Sequence, residues 1–129
     1  MRKTALVTGM HTSLAYLVAE KLIKDGNMRV IAPVRVRESD RVDALIRNYG
    51  ENVIVSDFSP LDFQEAKELV AAADYILNLD FVGMPESEHF PDFAEKLNYF
   101  YTKNLVDAVI ETGSDAKIIE LSTTGIYGG

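Results

Sequence analysis

The stretch that decides the fold is residues 4–22, TALVTGMHTSLAYLVAEKL. An apolar run of strand character leads directly into Gly9, and a short polar turn follows. Apolar residues then return at helical spacing, at Leu14, Leu17, Val18 and Leu22. A buried strand, a glycine turn and an amphipathic helix in immediate succession open a βαβ unit. A helix that begins near Thr12 and Ser13 would point free backbone N–H groups at the space above the strand, where a phosphate can bind.

Four more apolar runs follow, and helical patterns separate them. The runs cover residues 29–34, 52–56, 75–79 and 117–121, and the helical patterns cover about 41–49, 61–73 and 92–112. Because nearly all the runs are continuously apolar, they predict a parallel sheet that is covered on both faces. The predicted fold class is α/β, a doubly wound three-layer sandwich of about five strands in the Rossmann-like order 3-2-1-4-5. Ligands should lie at the carboxyl ends of the strands, near the switch between strands 1 and 4.

Length and composition narrow the class of protein. The chain has 129 residues, enough for one domain with a core, and a formal net charge of −7. That charge argues against a general nucleic-acid surface, which needs clustered Lys and Arg. The absence of cysteine excludes disulfides and thiolate chemistry. We find neither a signal-peptide core nor an apolar run long enough to span a membrane, so we expect a cytoplasmic protein.

The turn after the first strand has the spacing of a dinucleotide-binding glycine motif. Gly9, Thr12 and Ala15 occupy its three glycine positions. Ala15 is a mild change, whereas a β-branched Thr12 would crowd a pyrophosphate unless its hydroxyl and that of Ser13 donate to it. The alternative is a plain strand-to-helix turn capped by Thr12 or Ser13. The candidate cofactor-binding residues of this turn are Gly9, Met10, His11, Thr12, Ser13 and Leu14.

Two further groups follow the second and third strands. Arg35 and Arg37 stand where an acid would bind the ribose 2′-hydroxyl of NAD, and two guanidinium groups suit a 2′-phosphate, which favours NADP(H) over NAD(H). The alternative is a solvated basic pair. Asp57 could accept a hydrogen bond from an adenine amino group while Phe58 flanks the ring. Asp57 is equally explained as the N-cap of the third helix.

Three longer motifs carry a resemblance. Residues 122–128, STTGIYG, match S-S-x-x-V-Y-G, and residues 97–108, LNYFYTKNLVDA, match V-N-x-x-G-T-x-N-L-x-E-A with Tyr101 in place of the glycine. Residues 74–81, DYILNLDF, match D-x-V-x-H-L-A-A except at the last two positions. With these motifs in this order, the chain resembles the N-terminal part of an extended short-chain dehydrogenase/reductase of the NAD-dependent epimerase/dehydratase kind. The resemblance covers essentially the whole chain.

The resemblance implies a function. Residues 1–129 would be a single dinucleotide-binding domain of an oxidoreductase that moves a hydride between a nicotinamide and a sugar nucleotide or a related hydroxy or keto substrate. Thr123 matches the hydroxyl residue that bonds the reacting oxygen, and Leu79, Asp80 and Asn98 fall at cofactor positions. The family's catalytic Y-x-x-x-K pair and its substrate region are absent from these residues, so we expect this chain alone to be inactive.

Three expectations concern partners. Three aromatic residues at helical spacing, Phe93, Phe100 and Tyr101, are interpreted as core or as a dimer surface, and the resemblance implies a homodimer through the long helices. The departures at Thr12 and Asp80 support an alternative, a non-catalytic Rossmann module with a degenerate cofactor site that serves protein association. Neither of the two histidines has another ligand at metal-binding spacing, so we predict no metal site.

Overall fold

The computed structural model describes residues 2–34, 40–80 and 91–120, without the side chains of residues 91–96 and 98. Its strands are β1 (Thr4–Val7), β2 (Arg29–Pro33), β3 (Val53–Ser56), β4 (Tyr75–Asn78) and β5 (Lys117–Glu120). Its helices are α1 (Ser13–Lys24), α2 (Asp40–Tyr49), α3 (Phe63–Ala71) and α4 (Pro91–Thr112), and a 3-10 turn (Gly50–Asn52) follows α2. Each helix therefore connects two successive strands, as the sequence predicts.

The strands form one five-stranded parallel sheet in the order β3-β2-β1-β4-β5. Leu6 at the centre of β1 pairs with Ile31 on β2 and with Ile76 on β4. The order and the parallel pairing confirm the predicted doubly wound sheet. The strand order changes direction between the neighbouring strands β1 and β4. In open α/β folds, ligands bind outside the carboxyl ends of the strands at this point.

Alternating residues of the strands face two separate cores. Ala5, Val7 and Val30 pack under α1 and α2, whereas Leu6 and Ile31 pack under α3 and α4. The two outermost strands depart from the expectation of full cover: Ile54 on β3 and Ile119 on β5 are about half exposed. A continuously apolar strand therefore did not guarantee burial here, because position in the sheet decides how many helices lie over it.

The buried face of α1 differs from the prediction. Leu14 and Leu17 are exposed, and Ala15, Ala19 and Ile23 are the buried residues. Small side chains at this contact allow the helix to lie close to the strands, as expected for the third position of the glycine motif. The large leucines of the same pattern are therefore left on the outer side.

The apolar residues of α4 lie on two sides of the helix. Leu97, Tyr101, Leu105 and Ala108 are buried, whereas Phe100 and Ile110 are exposed. Gly113 ends the helix as predicted, with a φ of +67°. Within the described residues, no helix is both long and apolar enough to cross a membrane.

The start of α3 corrects one interpretation of Asp57. The helix begins at Phe63, later than predicted, and its N-cap is Asp62, whose side chain accepts a hydrogen bond from the Glu65 N–H group at 3.0 Å. Pro60 lies before the helix and not in its first turn. Asp57 therefore does not cap α3, and the reading of Asp57 as an N-cap is wrong.

Candidate functional site

The β1–α1 turn, residues 9–12, is held against the end of β4 by a backbone contact. Gly9 has a φ of +80°, and a Cβ atom placed on it would lie 2.9 Å from the Asp80 Cα and N atoms. Both the conformation and the lack of space require glycine here. The predicted first glycine of the motif is thus explained by the fold itself, because the turn crosses directly over the chain as it leaves β4.

Thr12 caps α1. Its hydroxyl donates to the Gly9 carbonyl at 2.7 Å and accepts from the Ala15 N–H group at 3.2 Å. The Thr12 φ of −92° and ψ of 155° are ordinary for any residue, so no glycine is needed at this position. The hydroxyl is used inside the turn, which fits the plain-cap alternative for this side chain. Ser13 and Leu14 follow in the first helical turn, where N–H groups have no partner within the helix.

A buried polar cluster fixes the neighbouring strand ends. The Thr8 hydroxyl accepts hydrogen bonds from the Leu79 and Asp80 N–H groups at 2.9 and 3.0 Å. It donates to Asn78 Oδ1 at 2.7 Å. Thr8 and Asn78 are almost completely buried, so each of these bonds replaces hydration that the groups have lost. We call Thr8, Asn78 and these two N–H groups the Thr8 cluster. Its bond to the Asp80 N–H group positions the Asp80 backbone against Gly9.

The cluster continues toward β5 through the amide of Asn78. Asn78 Nδ2 donates to the Thr102 hydroxyl at 3.3 Å and to the Glu120 carboxylate at 3.1 and 3.2 Å. The ends of β1, β4 and β5 are therefore joined by side chains at the edge of the sheet where ligands are expected. Sequence reasoning did not identify Thr8, Thr102 or Glu120, because no local pattern marks contacts between residues so far apart in the chain.

The backbone of Asp80 lies against this turn at Gly9. The residue is only 4% exposed, and it takes part in further interactions of its own. A carboxylate is an unusual neighbour for an anion-binding turn because like charges repel. The structure thus retains the feature that the sequence marked as a departure from the family pattern.

A cleft of about 280 Å³ lies beside the ends of β2 and β3. We call it the base cleft, and it is lined by Pro33, Val34, Asp57, Phe58, Ser59, Leu61 and Tyr101. Phe58 is partly exposed, whereas Tyr101 is buried. The cleft brings the predicted pair Asp57 and Phe58 together with Tyr101 of α4, which the sequence analysis assigned to the core or to a dimer surface. A cleft with aromatic and aliphatic walls and a carboxylate in its lining suits a heteroaromatic base that carries an amino group.

The β3–α3 loop, residues 57–62, forms one wall of the base cleft. The Phe58 N–H group donates to Ser56 Oγ at 3.1 Å, and the Ser59 N–H group donates to Glu65 Oε1 at 2.9 Å. From α4, Asn104 Nδ2 donates to the carbonyl oxygens of Pro60 and Leu61 at 2.7 and 3.2 Å. The loop is therefore held both by its own side chains and by a neighbouring helix.

The other predicted site residues are buried, partly exposed or outside the described residues. The side chains of Met10 and Leu79 lie in the core under α1, so that only their backbone groups can face a ligand. His11 is partly exposed, and its carbonyl accepts a hydrogen bond from Arg41 Nη1 at 3.3 Å. Predicted residues Arg35, Arg37 and Thr123 lie outside the described residues, and of Asn98 only the backbone, within α4, is described.

Arg41 is a cation beside the turn that the sequence analysis missed. It lies in the first turn of α2, where the helix dipole favours acids, and this unusual placement was the available signal.

A larger cleft of about 610 Å³ lies at the amino ends of the strands, near Lys3 and Lys117. Because ligands of open α/β sheets bind at the carboxyl ends, we assign the candidate site to the β1–α1 turn and the base cleft.

Several solved structures share this fold. A UDP-glucose 4-epimerase from Bifidobacterium longum, in complex with NAD+ and UDP, aligns with a TM-score of 0.81 and 23% identity over 97% of this chain and 38% of its own. The corresponding enzyme from Stenotrophomonas maltophila, with bound NAD and formylated UDP-arabinopyranose, aligns with a TM-score of 0.82 and 20% identity over 98% and 38%. A short-chain dehydrogenase from Streptomyces avermitilis aligns with a TM-score of 0.71 and 21% identity over 96% and 50%.

Comparison by sequence finds no further similar protein among family models or curated proteins. No family model matches the chain, and no curated protein matches it by sequence. The chain spans 38% of the length of the two epimerases, so their activities belong to proteins that are much longer than these residues. At these identities the similarity establishes the fold: the chain has the parallel five-stranded Rossmann architecture of the epimerases and short-chain dehydrogenases, as the resemblance implied.

Proposed function

We propose that this chain binds a nicotinamide dinucleotide along the carboxyl edge of its sheet. The proposal rests on one observation: the β1–α1 turn and the base cleft lie at the same edge of the sheet, and they suit different parts of a dinucleotide. Gly9 and the first turn of α1 offer a close backbone approach and free N–H groups for a diphosphate. The base cleft, with Asp57 and Phe58, offers a place for the adenine at the end of the adjoining strands. The printed ligands of the two epimerases, NAD+ and NAD, support this choice of cofactor.

We further propose that NADP(H) binds more tightly than NAD(H). Arg35 follows directly after Pro33 and Val34, which line the base cleft, and Arg37 stands two residues further on. The segment 34–37 has no acid to bind a ribose 2′-hydroxyl, and its two guanidinium groups suit a 2′-phosphate. Arg41 adds a further positive charge, because it contacts the β1–α1 turn through the His11 carbonyl.

The whole protein would be an epimerase/dehydratase-like oxidoreductase that acts on a sugar nucleotide or a related hydroxy or keto substrate. When bound, the nicotinamide would supply or accept the hydride. The residues of this chain would bind and orient the dinucleotide, and Thr123 would hold the reacting oxygen by a hydrogen bond. Residues 1–129 contain no Y-x-x-x-K pair after the 122–128 motif. We therefore expect them to bind the cofactor without catalysing hydride transfer. We also propose that the protein is cytoplasmic.

Calorimetric titration with NADPH and NADH tests binding and preference together. We expect the wild type to bind NADPH about tenfold more tightly, which corresponds to about 1.4 kcal/mol. Replacing both Arg35 and Arg37 by Gln should remove that preference, whereas Arg47→Gln, at the exposed end of α2, is the matched control that should retain it. Equal binding of both cofactors by the wild type would contradict the NADP preference, and binding of neither would contradict the dinucleotide proposal.

A second candidate function is protein association by a Rossmann module with a degenerate site. The Thr12 hydroxyl and the buried Asp80 beside the turn are the observations that favour it. Thr12→Ser removes only the methyl group and keeps the cap, whereas Thr12→Gly removes the whole side chain. A gain in NADPH affinity with both variants would show that the methyl group crowds the diphosphate. If neither variant nor the wild type binds, the association role is the better account.

We also propose that α4 forms a homodimer interface. Its outer side carries Tyr99, Val106 and Ile110 at a spacing that follows one helical stripe, and Ile110 is 73% exposed. Ile110→Glu should convert a dimer to a monomer in sedimentation equilibrium, because it places a charge in the apolar stripe. Ile46→Glu on the exposed side of α2 is the matched control. A wild type that sediments as a monomer would contradict this part of the proposal.

A further inference from the structure

We propose that Asn104 is a positioning residue for the base cleft, which it shapes by holding the β3–α3 loop against α4. The inference rests on the proposed dinucleotide binding and gives a role to a residue that does not line the cleft. It concerns the width and rigidity of the cleft, and it does not concern a direct contact with the base.

The side chain of Asn104 bonds two successive carbonyl groups of the loop. Its Nδ2 atom donates to the Pro60 oxygen at 2.7 Å and to the Leu61 oxygen at 3.2 Å. An amide nitrogen carries two hydrogens, so one Asn can satisfy both acceptors at once. Pro60 is fully buried and Asn104 is half-buried, so water cannot replace the bond to the Pro60 oxygen without opening the contact.

Two other hydrogen bonds of the loop fix its local shape. The Phe58 N–H group bonds Ser56 Oγ, and the Leu61 N–H group bonds Ser59 Oγ, both at 3.1 Å. These are bonds between near neighbours in the chain, as in ordinary hydroxyl-stabilised turns. Asn104, by contrast, joins the loop to a helix more than forty residues further along the chain.

The same helix contributes a wall of the cleft directly. Tyr101 stands three residues before Asn104, a spacing that places two helical residues on the same side. Tyr101 lines the base cleft together with Phe58 and Leu61 from the loop. Because α4 carries both Tyr101 and the anchor of the opposing segment, the two Asn104 bonds contribute to the distance of Phe58 and Leu61 from the Tyr101 ring.

Three variants separate the hydrogen bonds from size and charge. Asn104→Asp keeps the shape but removes both donors, and Asn104→Leu removes the donors without adding a charge. Asn104→Gln keeps an amide donor on a longer stem and should lose less. Asn48→Asp, on the exposed surface of α2, is the control for the same change in charge.

Amide hydrogen exchange by NMR tests the loop without any ligand. We expect the Phe58 and Leu61 N–H groups to exchange at least tenfold faster in Asn104→Asp and Asn104→Leu than in the wild type and in Asn48→Asp. The N–H groups inside α3 should keep their protection if the effect is local. Unchanged exchange at Phe58 and Leu61 would overturn the proposed role.

Binding of ADP and of inorganic pyrophosphate tests the consequence for the base. The two probes share a diphosphate, and only ADP fills the base cleft. We expect Asn104→Asp and Asn104→Leu to weaken ADP about tenfold (about 1.4 kcal/mol) and pyrophosphate less than twofold, with a smaller ADP loss in Asn104→Gln. Equal losses for both probes, or no loss for ADP, would overturn the inference. If the wild type binds neither probe, dinucleotide binding is wrong and the role in base binding falls with it, while exchange still reports whether Asn104 holds the loop.

Discussion

The β1–α1 turn and the β3–α3 loop both lead from the carboxyl end of a strand to a helix that a side chain caps. Thr12 Oγ1 accepts from the Ala15 N–H group at 3.2 Å, and Asp62 Oδ1 accepts from the Glu65 N–H group at 3.0 Å. What differs is how each segment is held in place. Gly9 fixes the turn through backbone packed on backbone, whereas the loop is held by the amide of Asn104.

This difference indicates which segment can vary. A backbone contact at 2.9 Å from an added Cβ leaves no room for adjustment, so the diphosphate side of the candidate site is fixed by the sheet itself. The base side is fixed by side chains and can change by substitution without rebuilding the sheet. We therefore expect the base cleft to be the part of the site that tunes affinity and preference.

Two substitutions should have the largest effects, and the first is Gly9→Ala, which changes the rigid turn. A non-glycine residue at positive φ costs about 1–2 kcal/mol, and overpacking against backbone adds about 1–3 kcal/mol. Gly50→Ala is the control, because a Cβ there would have no atom within 4 Å. Urea denaturation should show a free energy of unfolding about 2–5 kcal/mol lower for Gly9→Ala than for Gly50→Ala. Equal stability of the two variants would mean that the turn is not fixed by this contact.

Thr8→Val tests the support beneath the same turn. The valine keeps the shape but leaves the buried Leu79 and Asp80 N–H groups without an acceptor, at about 1–3 kcal/mol for each unsatisfied group. Thr8→Ser keeps the hydroxyl and loses only a methyl group, at about 1 kcal/mol. We expect thermal unfolding to rank the wild type above Thr8→Ser and Thr8→Ser above Thr8→Val. A valine variant as stable as the serine variant would contradict the importance of the Thr8 cluster.

The two helix caps should give smaller and similar effects, which sharpens the comparison. Thr12→Ala and Asp62→Ala should each lower the free energy of unfolding by about 1 kcal/mol, since each removes the acceptor of an N–H group in a first helical turn. Asp62→Asn keeps an oxygen at the same place and should stay within a few tenths of a kcal/mol of the wild type. Denaturant titration measures all three. A much larger loss at Asp62 than at Thr12 would show that the loop depends more on its cap than we infer.

The smallest effect concerns a hydrogen bond that joins α1 to the last residue of α2. The Tyr49 hydroxyl donates to Glu20 Oε2 at 2.8 Å, and this hydrogen bond raises the pKa of Tyr49 from about 10 to about 12. Because the folded protein favours the protonated phenol, the stabilisation is complete below pH 10 and is lost as the pH rises through about 12. The difference in absorbance at 295 nm between the wild type and Tyr49→Phe should titrate near pH 12. Glu20→Gln should move that midpoint toward 10, whereas Glu68→Gln on α3 should not; a wild-type midpoint near 10 would contradict the hydrogen bond.

Prediction from sequence succeeded where the information is local. Gly9 followed by a helical pattern predicted the turn, and the order of apolar runs predicted the sheet because right-handed crossovers permit few arrangements. It failed for the buried face of α1. Leu14 and Leu17 were expected to be buried but are exposed, and Ala15 and Ala19 are buried. Hydrophobicity alone favours large residues for the core, but the close approach of α1 to the strands favours small ones.

The sequence by itself thus determined the alternation of strands and helices, the strand order, the glycine turn and the position of Asp57 and Phe58 after β3. The tertiary structure alone decided that Thr8 joins β1 to β4, and that Tyr101 and Asn104 of α4 build and hold the base cleft. The physical reason is distance along the chain. Periodicity and capping arise from neighbours within a few residues, whereas these contacts form between segments that meet only after the sheet has assembled.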